Sequence, residues 1–257
     1  MAEIEGASEE AFTWPSGVRA AVSMTFDDGR ASQLELGLPI LDEHGIKATF
    51  YVLPRCFDGA GAAAWRGVAE AGHEIGNHTV RHPCSGNYGF ARPQALESYT
   101  LEQMGAELDD AQRIIAERVG VTPTSFAYPC GQRFVGRGES VQSYVPVVAR
   151  RFGFARAWRD ESANDPAFCD FAQLFGVDFD RLTVDELRPW VETAVEQGHW
   201  LVLGGHDVAA SPRRQAVLAE TLAWVCELGG RDAGVWVDTL SNVGQYVREQ
   251  RGEVVAA

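Results

Sequence analysis

Apolar, β-branched stretches alternate with helix-forming stretches along nearly all of this chain, and that alternation limits the folds open to it. The strand-like segments are VRAAVSMTF (18–26), KATFYVL (47–53), HEIGNHT (73–79), TSFAYP (124–129), FARAW (154–158), WLVLGGHD (200–207) and VWVDT (235–239). Residues 32–44, 65–71, 93–118, 145–151, 184–197, 213–228 and 240–251 have helical character, and TVDEL (183–187) puts acidic residues in a first helical turn. Such repetition implies parallel strands joined by helices. About seven strands in a chain of 257 residues predict an α/β fold, a distorted (β/α) barrel resembling the TIM barrel, rather than a short open sheet. Residues 1–17 are expected to form an N-terminal extension and residues 18–250 one domain.

Active sites of such barrels lie at the C-terminal ends of the strands. Four strands here end in polar clusters: Asp27-Asp28-Gly29, Asn77-His78, Tyr128-Pro129-Cys130-Gly131 and His206-Asp207. A barrel brings these ends together although they are far apart in sequence. His78 and His82 form an H-x-x-x-H pair, which on one helical turn would turn both imidazoles toward one metal ion. Asp27 or Asp28 could supply a third ligand and leave a position open for water. By itself such a histidine pair also arises by chance on surface helices. Two adjacent aspartates can equally cap the next helix. Alternatively they divide the work, because successive strand residues point to opposite sides. One would then bind metal while the other serves as acid or base beside it. His206, at the end of a strongly apolar strand, could protonate a leaving group or be a satisfied core histidine. His44 suits a helix C-terminus, and His73 and His199 begin strands, at the end opposite the chemistry. Residues 85–92 and 131–143 are Gly-rich and polar, as the rims of a substrate cleft would be.

The formal net charge of −14 disfavours nucleic acid and anionic membranes as partners and suits a neutral or cationic substrate. No apolar run is long enough for a membrane span. The start, MAEIEGASEEAFTWPSG, is acidic and unlike a signal peptide, so the expected location is cytoplasmic unless a leader is removed. Cys56, Cys84, Cys130, Cys169 and Cys226 are odd in number and contain no C-x-x-C, which reads as mostly reduced thiols.

Together these motifs resemble the polysaccharide deacetylases, carbohydrate esterase family four, with its NodB-homology domain. TFDDG (25–29) is similar to the first family motif, HTVRH (78–82) to the second, FAYPCG (126–131) to the third and LVLGGHD (201–207) to the fifth, in the same order and spacing. The resemblance runs from about residue 20 to about 247, where VWVDTLSNVGQYV (235–247) is similar to the usual last strand and helix. It implies a hydrolase that removes acetyl groups from N-acetylated sugars by attack of a zinc-bound water, with Co, Ni or Fe able to replace zinc. Asp28, His78 and His82 would be the metal ligands. Asp27 would be the general base and His206 the acid that protonates the departing amine. The Cys130 backbone N–H would stabilise the oxyanion, and Tyr128 and Pro129 would form one wall of the cleft. The chain departs from the family pattern at Ala127, where many members have an arginine that orients the base, and at Cys130, where an aromatic residue is common. No fourth motif is recognisable, and Asp160, Asp165 and Asp178 are the candidates to orient His206. Three other activities suit the same pattern: an acetyl esterase acting on xylan, an allantoinase-like cyclic amide hydrolase, and a non-catalytic sugar-binding relative. The last often lacks the first Asp or the late His, and this chain has both.

Overall fold

The computed structural model describes residues 12–230 and 234–253. In chain order its elements are β1 (Ala20–Phe26), α1 (Leu38–Glu43), β2 (Thr49–Val52), α2 (Gly61–Glu70), β3 (Glu74–Asn77), α3 (Leu101–Val119), β4 (Ser125–Ala127), β5 (Phe134–Val135), β6 (Gln142–Ser143), α4 (Val145–Ala149), β7 (Phe154–Arg156), β8 (Val177–Asp178), α5 (Val184–Gln197), β9 (Trp200–Gly205), β10 (Asp207–Ala209), β11 (Ala216–Leu218), α6 (Ala219–Gly230), β12 (Val235–Val237) and α7 (Leu240–Gln250).

Seven strands follow one another as β7-β4-β3-β2-β1-β9-β8, all parallel. β1 pairs with three strands, β2, β9 and β12. All seven of its residues are buried, as expected for a strand covered on both faces. One edge of β1 is shared: β12 pairs with Ala20–Val22 and β2 with Thr25 and Phe26. The sheet therefore curls, and its two outer strands are drawn together by a parallel bridge between Arg156 and Leu174, just ahead of β8. This is the distorted barrel expected from the strand–helix alternation.

The helices are set by local chemistry. Thr100 with Gln103 and Thr183 with Glu186 form capping boxes at the starts of α3 and α5. Gly120 and Gly198 end the same helices in the left-handed conformation. Apolar faces of α1, α2, α5 and α6 pack with β1, β2 and β9 around Phe26, Phe50, Trp65, Leu187, Leu203 and Val225. Trp14 also packs against the domain: its indole N–H donates to the Gly198 carbonyl at 2.8 Å, and its ring stacks on Tyr246.

Several elements differ from expectation. The helix expected over 93–118 starts at Leu101, where the Thr100–Gln103 capping box fixes the first turn. Residues 89–98 form short 3₁₀ turns instead. The helix expected over 213–228 starts at Ala219, since the buried Ala-Val-Leu of β11 pairs with β10. His78 and His82 lie on a loop and not on a helical turn: Thr79 and His82 have φ of 68° and 55°.

Candidate active site

β1 delivers Asp27 and Asp28 to the C-terminal end of the barrel. The two carboxylates turn to different partners because the chain changes conformation between them: Asp28 takes a φ of 72° and Gly29 of 61°. Gly29 is required twice over, since a Cβ there would lie 2.7 Å from the Cys56 sulfur. The Gln33 amide donates to the carbonyls of both Asp27 (2.6 Å) and His206 (2.8 Å), tying the β1 end to the β9 end. Arg30 does the same from its guanidinium, which pairs with Asp28 and with Asp207.

Asp28, His78 and His82 each present a ligand atom, and these three atoms lie within 4.8 Å of one another. The Oδ1 of Asp28 is 3.8 Å from His78 Nε2 and 3.7 Å from His82 Nε2. His78 Nδ1 bonds the Ala127 carbonyl at 2.9 Å, which leaves the buried Nε2 without a hydrogen-bond partner. A buried ring nitrogen with no partner, aimed at a carboxylate and a second imidazole, fits a divalent cation. Burial lowers the pKa of both histidines. It pushes that of His82, with the help of neighbouring His78, down to about 4. Burial thus favours the neutral imidazole, the form whose lone pair can bind a cation. Burial works against an ionised Asp28, but His78, His82 and Arg30 outweigh it and hold its pKa low.

The loop carrying His82 is held from α3. Glu107, itself buried, accepts the backbone N–H groups of Val80 and Arg81 at 3.0 Å and also binds the Arg81 side chain and the Tyr99 hydroxyl. Asn77 braces the other side: its amide oxygen accepts from Thr79 N–H and its nitrogen donates to the Leu108 carbonyl.

Asp27 pairs with the fully buried guanidinium of Arg156 on β7. Burial raises the Asp27 pKa, but Arg156, His78 and His206 outweigh that and keep it below the ordinary carboxylate value. Asp27 thus has a cationic partner in Arg156 although Ala127 supplies none. His206 is held by Asp180, which accepts the His206 backbone N–H (3.0 Å) and bonds the ring Nδ1 (2.8 Å). Burial disfavours the imidazolium, yet Asp180, Asp27 and Asp28 outweigh it, and the His206 pKa lies above the ordinary histidine value. The three aspartates expected for this role are engaged elsewhere. Asp160 accepts from Gly176 N–H, Asp165 from Ala167 N–H, and Asp178 pairs with Arg159.

The third motif folds as a tight turn with Cys130 at φ 54° and Gly131 at φ 68°. Cys130 forms a disulfide with Cys84, across a Cα separation of 6.2 Å. Cys56, Cys169 and Cys226 are free, so three of the five cysteines are thiols, while the two that pair lie far apart in sequence and meet beside His82. Tyr128 is also unlike its expected role. Its ring is buried among Phe126, Val135 and Tyr144, and its hydroxyl donates to the Ala172 carbonyl at 2.8 Å. It is a core residue, and Pro129 beside it is buried as well.

The model of the polysaccharide deacetylase family matches residues 16–146. The chain belongs to that family. A peptidoglycan-N-acetylglucosamine deacetylase of Bacillus cereus is 42% identical over 76 residues, which are 28% of this chain and 26% of that protein. The chain matches between 5% and 36% of the length of its curated relatives. Among solved structures, a polysaccharide deacetylase-family protein of Mycobacterium smegmatis superposes with a TM-score of 0.67, at 19% identity and 94% coverage of both chains. A family-four acetyl xylan esterase of Clostridium thermocellum, solved with a cobalt ion, gives 0.57 at 22% identity, covering 88% of this chain and 91% of the other. These likenesses extend the fold over nearly the whole chain.

Three residues and one disulfide around the site escaped sequence reasoning. Arg156 had a signal: a charge inside the apolar strand FARAW must be buried and therefore paired. Asp180 had a weaker one, the alternation Val177-Asp178-Phe179-Asp180, in which both aspartates share a face. Glu107 looks like any helix-surface glutamate, and nothing in the spacing of Cys84 and Cys130 links them.

Proposed function

We propose that the chain is a metal-dependent hydrolase that removes acetyl groups from N-acetylated saccharides. The observation that carries this reading is the unpartnered, buried Nε2 of His78, facing Asp28 and His82 beside an Arg156-paired Asp27 and an Asp180-paired His206. A divalent ion held by Asp28, His78 and His82, with zinc expected and Co, Ni or Fe able to replace it, would make water a better nucleophile and polarise the acetyl carbonyl. Asp27 accepts the proton of the attacking water, and Arg156 keeps Asp27 ionised for that task. The Cys130 backbone N–H, in the turn after β4, donates to the oxygen as it gains charge. His206, kept protonated by Asp180, hands its proton to the nitrogen as the C–N bond breaks, because an amine leaves poorly as an anion. The complete set of acid and base supports amide hydrolysis over sugar binding alone, and the relatives that are deacetylases support an acetamide over an ester.

The deciding experiment is acetate release by the full chain, with added zinc, from chitooligosaccharides, peptidoglycan fragments and acetylxylan, with hydrolytic ring opening of allantoin followed beside it. Acetate from the first two and no ring opening of allantoin are expected, and ring opening without acetate would make it a cyclic amide hydrolase. Release from acetylxylan alone would make it an esterase, and release from none would leave a binding protein.

A further inference from the structure

Beside His82 the chain exposes two aromatic rings with no core to pack into. Tyr88 is 42% and Phe90 61% exposed. Their rings stack on each other with centroids 5.6 Å apart and planes 29° from parallel, and the Phe90 ring centroid is 6.3 Å from that of His82. The pair is not on a loose loop. Glu97 accepts the Gly86 N–H at 2.9 Å, Tyr88 N–H donates to Ser85, Ala91 N–H to Tyr88, and Leu96 N–H to Cys84, which is itself cross-linked to Cys130. Two large apolar side chains are thus held rigidly in solvent next to the candidate ligands. The same loop borders a polar cavity of about 480 Å³ lined by Asn87, Arg92, Glu97, Ser98 and Arg137.

We infer that Tyr88 and Phe90 form a stacking platform for a second sugar ring, next to the one whose acetamide reaches Asp28 and His82. This rests on the saccharide reading above. A pyranose presents C–H groups on its faces and hydroxyls around its rim. Such a ring needs a flat apolar surface with hydrogen-bonding groups beside it, and the two rings and the polar cavity supply both. The net charge of −14 adds no penalty for a neutral sugar chain and repels an acidic one. The platform makes the preferred substrate an oligomer or polymer and not a monosaccharide.

The test is binding, measured independently of turnover. The metal-loaded full chain, carrying Asp27→Asn so that metal is kept and turnover is nearly abolished, is titrated with N-acetylglucosamine and with its β-1,4-linked tetramer by calorimetry, and acetate release is assayed in the same set of proteins with Asp27 intact. At the platform the proteins are wild type, Tyr88→Ala, Phe90→Ala and the double variant, with Phe168→Ala as the control, a phenylalanine 87% exposed elsewhere. Wild type is expected to bind the tetramer more tightly than the monomer. The double variant should lose roughly tenfold in that ratio, while its melting temperature and metal content stay at the wild-type level. An unchanged ratio in the double variant, an equal loss in Phe168→Ala, or a wild type that binds no tetramer would overturn the platform. Tetramer binding that depends on Tyr88 and Phe90 but releases no acetate would uphold the platform and retire the deacetylase reading instead.

Discussion

The guanidinium of Arg156 meets the carboxylate of Asp27 across 129 residues of sequence, joining the last residue of β7 to the residue that follows β1. The contact crosses the barrel and not the sheet, because β7 and β1 are separated by β4, β3 and β2. Arg156 is confined by its surroundings: its guanidinium lies 5.3 Å from the Tyr51 ring centroid and 5.1 Å from that of Trp158, and Nη1 donates to the Ala157 carbonyl. Gly204 on β9 leaves room for it, since a Cβ there would lie 2.8 Å from Nη1. One buried cation thus connects the general-base candidate to the strand that closes the barrel.

Arg156→Leu is expected to leave Asp27 as an uncompensated buried charge and to cost about 3–5 kcal/mol of stability, read from urea unfolding. Adding Asp27→Asn should recover part of that loss, because the charge left unpaired is then gone. If the single and double variants unfold at the same urea concentration, the pair does not couple and the orienting role fails.

The two adjacent aspartates should separate cleanly. Asp28→Asn is expected to lose both metal and activity, as are His78→Ala and His82→Ala. Asp27→Asn should keep the metal and lose roughly 100-fold or more in kcat, the scale of a missing general base. Elemental analysis beside steady-state kinetics distinguishes them. Metal lost from Asp27→Asn and kept in Asp28→Asn would reverse the roles.

Oxidised protein should show three reactive thiols after denaturation and five after reduction, counted by mass shift on alkylation, since Cys84 and Cys130 are paired and Cys56, Cys169 and Cys226 are not. Reduction should destabilise the domain by about 2–4 kcal/mol, the usual worth of such a cross-link. Five reactive thiols without reductant would refute the pairing.

What the sequence made legible follows from where the signal is local. Strand–helix alternation is written in residue periodicity, so the barrel and the polar ends of β1, β3, β4 and β9 could be read directly. The H-x-x-x-H pair is visible in the sequence, but its geometry is not. Its spacing is the same on a helix or on a loop, and only the positive φ of Thr79 and His82 tells them apart. The supporting residues were less legible because their meaning lies in pairing. Arg156 matters through Asp27, Asp180 through His206 and Glu107 through the His82 loop, and each pair spans the fold. Position in the chain misled most for Tyr128: it sits in a motif of the cleft, yet its side chain belongs to the core beneath it.

Asp180 offers the sharpest view of the acid. Its carboxylate bonds His206 Nδ1 and so favours the imidazolium over the neutral ring. A raised pKa means that His206 keeps its proton to higher pH than a free histidine would. In wild type, kcat/KM on an acetamide should therefore fall on the alkaline side only above the ordinary histidine range. Asp180→Asn removes the favourable charge while burial remains, so the His206 pKa drops and the alkaline limb moves to lower pH. His206→Ala should lose that limb altogether. Substrate choice gives an independent reading of the same proton. An aryl acetate leaves as a phenolate and needs no acid, whereas an acetamide does. Both variants are expected to lose far more activity on the acetamide, with metal content unchanged. Equal losses on the two substrates, or an alkaline limb that stays in place in Asp180→Asn, would mean that His206 positions substrate or water and does not donate the proton.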